Sequence, residues 1–598
     1  MKRALGIAAL VALLLGGWHA YRLVWGVPLN INHFADRSSI KFLLEFPELL
    51  TMLGAADNTV LDFHSHRFSD LSPAGDAHRQ ALVRKVRDQL AAYDNAELEG
   101  QQALTRSYLH WAWLERHAPG RFPYHFSNIA YNGPYPINQT AGAQEVPLEV
   151  LTQYQRIEDE DSAMRFLERM GATPIYLGNL AAGVEARAEM GVLPPQVVLE
   201  RLITRAEALL EQSPEEWAII QAFASQLAAT DLDESRQQAL LDRGFAQLEL
   251  VVIPAYEDYL DFLRELAVNA PATVGVWALP DGEAYYQALL EFYTTTSLTA
   301  ADIHQLGLAR VAEIGREMDA ALAALGYVEG SRIERLQALA AERPPADSAE
   351  DVLAQYRQET ALVEEGIAPA FAIEDIAPLD IRPVPEEMQI GAPFAYYFPP
   401  ALDGSRPGYF YVNLVDLGQH EPFSMRTLVA HEAIPGHHYQ ASAGQQARGL
   451  PMVRRSDVIG AYSEGWALYA ERLVGELGLH DPDTEIGRLQ AEMFRAVRLV
   501  VDTGIHHYRW TREQAIDYML AETGRPRVDV VSEIERYIAM PGQATAYMVG
   551  MLEILEMREQ ARLRQGERFS LPAFHDVVLK NGALPLSVLK SEVERQLN

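Results

Sequence analysis

The eight residues His431-Glu432-Ala433-Ile434-Pro435-Gly436-His437-His438 cannot run as one continuous helix and still use their imidazoles together. A regular helix turns about 100° per residue, so His437 would point roughly 120° away from His431. His438 would face the same way as His431, but about 10 Å further along the axis. Neither spacing suits a single metal ion with bonds near 2 Å. In the usual pattern, His-Glu-x-x-His, the two histidines are four residues apart and share a face. Here the chain carries its own interruption. Pro435 has no N–H to give the carbonyl of His431, and Gly436 can take backbone angles closed to other residues. The sequence therefore predicts a helix that breaks inside this segment, with His437 brought back beside His431 and His438 as the alternative second ligand.

A hydrolytic zinc site needs three imidazole or carboxylate ligands, an open position for water and a carboxylate to accept that water's proton. Glu432, next to the first ligand, is placed to be that base. The third ligand is expected from a following helix, and Ser463-Glu464-Gly465-Trp466-Ala467-Leu468-Tyr469-Ala470-Glu471 offers one in an apolar setting. Twenty-six residues separate His437 from Glu464, enough to end one helix, turn and start another. Glu464 is thus the expected third ligand. Glu471, two turns on along the same face, is placed to orient a ligand from behind. A developing oxyanion needs a further donor, and Tyr547, His506 and Arg498 are the candidates in that order.

The stretches HEAIPGHHYQ, SEGWALYAERL, RLVVDTGIHHYRWTREQAIDYM and RYIAMPGQATAYMVG to FHDVVLKNGALPL resemble the bacterial domain of unknown function 885 family (DUF885). DGSRPGYFYVNL, WALPDGEAYY and YNGPYPINQT are similar to its upstream part, so the resemblance spans roughly residues 30 to 595. It implies kinship with zinc metallopeptidases of the thermolysin-like superfamily, and a mainly α, zincin-like domain with a central cleft. The activity implied is that of a metallohydrolase, a peptidase in the first instance, using Zn2+ on a peptide or small amide. Two alternatives stand beside it. One is a zinc hydrolase of a non-peptide amide or other C–N bond; the other is a membrane-anchored binding or assembly protein with no catalysis. Glu432 beside the ligands favours chemistry, since a site that only binds needs no base.

Other features bound the reading. The 598 residues contain no cysteine, which removes disulfides, thiolate metal sites, cysteine nucleophiles and a lipidated N-terminal cysteine together. Fifty basic residues against 82 acidic give a formal charge of -32, which opposes nucleic-acid and anionic-membrane binding. No Gly-x-Ser-x-Gly elbow supports serine hydrolase chemistry. Residues 1–28 read as a signal peptide or an N-terminal membrane anchor. Lys2 and Arg3 precede an apolar run from Ala4 to Gly17, and Trp18, Tyr21, Arg22 and Trp25 resemble an interfacial belt. Either outcome predicts a cell-envelope protein whose bulk lies on the periplasmic side.

Residues 29–598 are expected to form the metallohydrolase domain, a helical region over 29–385 followed by a hairpin and metal-site region over 386–598. Helices are predicted for Asp76 to Tyr93 and Pro195 to Gln212. Thr299 with Asp302, and Ser348 with Asp351, should each start another. His304 falls off its helix's apolar stripe and reads as a surface residue. Residues 122–147 read as a packed irregular loop, and Pro378 to Pro385 as a proline-rich break. Ala392 to Phe398 and Tyr409 to Leu414, around a turn-rich segment that includes Arg406, predict an antiparallel β-hairpin. Further helices are expected at Ile486 to His506, from Thr511 with Gln514 to a stop at Gly524, and at Gln543 to Arg564.

Overall fold

The computed structural model describes residues 2–597 apart from 55–56, 95–96, 129–130, 374, 386–388, 390–392, 402–403 and 405, with side chains from residue 13 onward. Helix takes 69% of the chain and strand 3%, so the mainly helical expectation holds. The chain forms two compact units. One comprises Met1–Ala96, His117–Tyr285 and Glu535–Pro541; the other comprises Glu97–Arg116, Tyr286–Ile534 and Gly542–Asn598.

In the first unit the N-terminal segment is a helix, Lys2–Val24. Arg37 donates to the carbonyls of Arg22 and Leu23 and Lys41 donates to that of Val24, supplying partners to the orphan acceptors of the helix end. Leu13, Leu14, Leu15, Trp18 and Tyr21 are exposed along it. Among the described residues no helix is long and apolar enough to cross a membrane. Lys2, Arg3 and the start of the apolar run have side chains outside the described set. Asn30 caps the next helix, Ile31–Leu43, through the N–H of Asn32. The predicted helices appear as Pro73–Leu90 and Gln196–Leu210. The loop at 122–147 is packed rather than projecting: Tyr131, Ile137 and Asn138 are fully buried, and Asn138 accepts from the N–H groups of Thr140 and Ala141.

The second unit carries the metal-ligand candidates. Its core is built on Pro482–His506, where Val497, Leu499, Val500 and Val501 are all buried, so the helix is apolar on more than one face. Each such side chain contributes roughly 1.5–3 kcal/mol on burial. The Thr299/Asp302 capping box forms and opens Ala300–Ala324, and Ser348 caps Ala349–Ile367. The Thr511/Gln514 box starts Arg512–Thr523, which Gly524 ends at φ +65°. Ala546–Gln565 follows near the C-terminus. His304 departs from expectation. It is 7% exposed, with Nδ1 2.8 Å from the Thr503 hydroxyl and its ring 4.4 Å from that of Tyr508. A polar ring off the apolar stripe is buried here because a hydroxyl on a neighbouring helix satisfies it.

The hairpin is present as Ala395–Phe398 antiparallel to Gly408–Val412, with Tyr397 opposite Phe410. Ala392, Leu402, Asp403 and Ser405 of the predicted segment lie outside the described residues. Arg406 stacks on Phe398 and donates to the carbonyl of Pro399, so it braces the turn. The proline-rich break is corrected: Leu379–Pro383 is a strand, pairing parallel to Gly408–Val412. Its one internal proline closes the strand, and the strand lies at the sheet edge, where a missing N–H costs little. Ala395–Phe398 forms the other edge.

Candidate metal centre

The helix carrying His431 runs Pro422–Glu432 and stops there. Ala433 at φ -103°, ψ -101° and Gly436 at φ -74°, ψ -131° turn the chain, the Ile434–Pro435 peptide is cis, and a new helix begins at His437. Gly436 is required by space. A Cβ there would lie 1.9 Å from the His431 carbonyl oxygen and 2.3 Å from that of Ala430. Trp466, fully buried, fixes the turn from the other side by donating its indole N–H to the Pro435 carbonyl at 2.8 Å. The next helix, Gly460–Glu476, brings Glu464 in beside the turn. It packs closely on Ala546–Gln565, where a Cβ on Gly465 would stand 2.5 Å from Gly550.

This backbone brings His431, His437 and Glu464 together. Glu464 Oε2 lies 3.4 Å from His431 Nε2 and 3.5 Å from His437 Nε2, and the three donor atoms all fall within 4.8 Å of one another. Ligands at 2.0–2.1 Å from a tetrahedral ion are separated by about 3.4 Å. Two of the three edges therefore match a tetrahedral site directly. The donors, two imidazoles and a carboxylate, suit zinc and other divalent ions of the first transition row.

The surroundings attract a cation. His431 is buried, which disfavours its charge, yet the Glu464 and Glu471 carboxylates outweigh burial and hold its pKa up at about 9. Burial raises Glu464, but the charges and hydrogen bonds of the two histidines bring it well below the usual carboxylate range. A metal ion would take the place of that proton. Glu471, 1% exposed, holds His431 Nδ1 at 2.7 Å, which leaves Nε2 to face the triad. Glu432 is half-buried; desolvation and the Glu464 charge raise its carboxyl, against His431, His437 and Arg495.

His438 is not among these donors. It is fully buried with Nε2 2.7 Å from the Ala377 carbonyl oxygen and Nδ1 3.2 Å from the Tyr397 hydroxyl, and burial lowers its pKa to about 4. It ties the helix after the break to the small sheet. Tyr397 also stacks its ring 6.4 Å from that of His437, a neighbour that spacing in the sequence gave no means of finding. Ser463 Oγ lies 3.4 Å from His437 Nδ1.

The three oxyanion candidates fall in different places. Tyr547 is half-buried, one turn ahead of Gly550 on the helix that packs against the Glu464 helix. Arg498 lies over its ring at 4.5 Å and pairs with Glu533 at 3.2 Å. His506 is fully buried against the Tyr286 ring at 5.3 Å, at the C-terminal end of Pro482–His506. The metal-ligand group of the described residues contains none of the three.

The family described as bacterial protein of unknown function (DUF885) matches residues 47–593. The crystal structure of a "putative lipoprotein" from Colwellia psychrerythraea is similar at TM-score 0.88 and 34% identity, covering 94% of this chain and 98% of that one. A "putative lipoprotein of unknown function" from Shewanella oneidensis shares the fold at TM-score 0.72 and 18% identity, with the same coverages. No curated protein matches the chain.

Proposed function

The chain belongs to the bacterial DUF885 family, and from the geometry of its metal centre we propose that it is a zinc-dependent hydrolase of the cell envelope, acting on peptides. The observation that carries this reading is the pair of 3.4 and 3.5 Å edges from Glu464 to two imidazoles, with a free glutamate next in sequence to the first. A zinc ion there supplies Lewis acidity, polarising a substrate carbonyl and acidifying a water molecule. Glu432, its carboxyl raised by burial, is then matched to take a proton from the attacking water and pass it to the leaving amine. Glu471 keeps His431 in one tautomer throughout. Tyr547 is the first candidate to donate to the oxyanion, ahead of His506 and then Arg498.

A kinship with thermolysin-like zinc peptidases and a cleft over the triad belong to the same proposal. A His-Glu pair at a helix end, with a glutamate ligand from a later helix, supports the kinship. Graded exposure supports an opening on one side: the His431 side chain is 5% exposed, that of His437 14% and that of Glu464 24%. For the envelope location, the relatives described as lipoproteins and the apolar N-terminal helix both speak. This chain has no cysteine to lipidate, so that helix, as anchor or export signal, is the element that would place it.

The test is metal content by mass spectrometry on the full chain, with peptide-library turnover measured in parallel. Near one zinc per chain is expected in wild type and His438→Ala, and none in His437→Ala or Glu464→Ala. Glu432→Gln should keep the metal and lose turnover. Metal-loaded protein that cleaves no peptide but hydrolyses other amides would move the substrate to the non-peptide class. No bound zinc would leave only the binding-protein reading.

A further inference from the structure

Residues 57–65 of the first unit form a loop turned inside out. Asp62 sits at its centre with a side chain 1% exposed, 3.2 Å from Arg165. Its carboxylate accepts from the N–H groups of Asn58 at 3.0 Å and Ser65 at 3.1 Å, and from the Ser65 hydroxyl at 2.7 Å. His64 is fully buried, with Nε2 2.6 Å from the Asp57 carboxylate. The polar groups thus face inward. The apolar ones face out: Val60 is 103% exposed, Leu61 67% and Phe63 46%. Water favours the opposite arrangement, since each large apolar side chain gains free energy on burial. The hydrogen bonds to Asp62 hold the loop in this form and keep its apolar tips outside.

The tips belong to a wider apolar surface. Among the described residues, 14 of the 25 large apolar side chains that stand exposed fall within residues 13–63. Single exposed apolar residues are ordinary on any protein surface, but a concentration of this kind marks a contact. Arg169 ties the loop to the helix Pro47–Met52, donating to the His64 carbonyl at 2.9 Å and to the Thr51 hydroxyl at 3.0 Å, two residues before the exposed Leu53. On Ile31–Leu43, Arg37 and Lys41 hold the end of the N-terminal helix, and Ile40 and Leu44 stand exposed beside them. At about 100° per residue, these four positions share an arc of about 100°. Leu13, Leu14 and Leu15 are three successive positions of the N-terminal helix, spanning about 200° of its circumference, and all are exposed, so that helix stands clear of the described residues there.

Charge and composition select the occupant. The string of apolar residues starts from a helix whose Trp18, Tyr21 and Arg22, with Trp25 just beyond, are of the kinds that sit at the headgroup level of a bilayer. Residues 1–67 hold six basic and five acidic residues, a formal charge of +1 against -33 for the rest of the chain. The acids of the loop are turned inward, Asp57 onto His64 and Asp62 onto the loop itself. The acidic run Glu158–Asp161 lies at the border, two residues beyond the Arg156 carbonyl that accepts from Asn58. Within it Asp159 caps a helix and Glu160 pairs with Arg236, while Glu158 and Asp161 remain at the surface. Such a border does not draw anionic headgroups, so apolar insertion is the source of binding. Arg67, over the Phe63 ring at 5.9 Å, can keep its charge in the headgroup layer while the ring enters.

We propose that Val60, Leu61 and Phe63 insert into the interface of a lipid bilayer, a second membrane contact beyond the N-terminal helix that seats the first unit on the membrane. This deepens the envelope location given above and rests on it, and it is independent of the hydrolase reading.

The chain has no cysteine, so Val60→Cys carries a single bimane label on the full chain. Val268→Cys, exposed in the same unit, is the control. Each is mixed with phosphatidylcholine vesicles containing a nitroxide-bearing lipid, and flotation of the vesicles reads membrane association of the chain as a whole. The label at position 60 should shift to the blue and be quenched by the lipid nitroxide, while that at 268 stays in water. Leu61→Asp in the Val60→Cys chain should lower the ratio of inserted to free loop at least about tenfold, with melting temperature unchanged because Leu61 is exposed. A chain that floats with its label at 60 still in water overturns the loop contact and leaves the envelope reading standing. A chain that does not float, with the label in water, sinks both. Quenching that survives Leu61→Asp, or that appears only when phosphatidylglycerol is added, overturns apolar insertion. A blue shift that needs no vesicles and grows with protein concentration assigns the surface to a second copy of the chain and overturns the proposal.

Discussion

Replacing Gly436 by alanine probes the break on which the candidate metal centre depends. The added Cβ would stand 1.9 Å from the His431 carbonyl oxygen and 2.3 Å from that of Ala430, more than about 1 Å inside ordinary van der Waals contact. Both neighbours are backbone atoms of the helix that carries His431, and Trp466 pins the turn through the Pro435 carbonyl, so neither side can yield cheaply. Relief therefore has to come from the segment leading into His437. A metal site tolerates ligand displacements of about 0.2 Å, and a shift of 1 Å at His437 exceeds that several-fold. Disturbing only a supporting partner of a ligand weakens metal binding about 10–100-fold, so moving a ligand itself should cost at least about 100-fold, or roughly 2.7 kcal/mol. Overpacking should also lower the stability of the metal-free chain by about 1–3 kcal/mol. The assay is zinc competition with a chromophoric chelator, alongside urea unfolding. Gly444→Ala in the helix that begins at His437 is the control, since its Cβ would meet nothing nearer than 3.8 Å. It should leave zinc affinity unchanged. A folded Gly436→Ala variant with wild-type zinc affinity would refute the claim that this turn sets the position of His437.

Three further outcomes follow from the same geometry. Glu471→Ala should weaken zinc binding about 10–100-fold by freeing His431 to rotate; unchanged affinity in chelator competition would remove Glu471 from the site's support. His438→Ala should keep the metal but lose about 1–3 kcal/mol in urea unfolding, because the Ala377 carbonyl and the Tyr397 hydroxyl lose a buried partner. Loss of zinc instead would transfer the ligand role to His438. In chelator-treated protein, His431 is raised from 6.5 to about 9 in the folded state, so the folded state holds its proton more tightly than the unfolded chain. The stabilisation is complete below pH 6.5 and fades as pH rises through about 9, whereas zinc affinity should climb over the same window as the proton leaves. Unfolding free energy that stays flat between pH 6.5 and 9 would contradict this.

Much of the local structure was legible because its causes are local. Pro435 and Gly436 announced the helix break, Thr299 with Asp302 and Thr511 with Gln514 announced helix starts, and Gly524 announced a stop, since each acts on backbone within four residues. The hairpin was legible for a similar reason, with two aromatic runs around a turn. The strand Leu379–Pro383 was missed because its partner begins 29 residues downstream, and no short-range pattern records a parallel pairing. His304 was misplaced because its burial depends on Thr503, almost 200 residues away.

The candidate metal centre divides along the same line. The sequence by itself determined the types of donor and that a regular helix could not present them: His431, Glu432, His437 and the spacing to Glu464 are facts of order along the chain. Only the tertiary structure separates His437 from His438 as the candidate second ligand, because that choice turns on which imidazole finds another partner first. His438 is taken by the Ala377 carbonyl and Tyr397 of the sheet, and His437 is left facing Glu464. It likewise decided that Arg495 and Arg525, 30 residues apart, meet over one phenylalanine ring. A side chain's chemistry is fixed by its identity, but its partners are fixed by packing between distant segments, where burial leaves each polar group one satisfied arrangement.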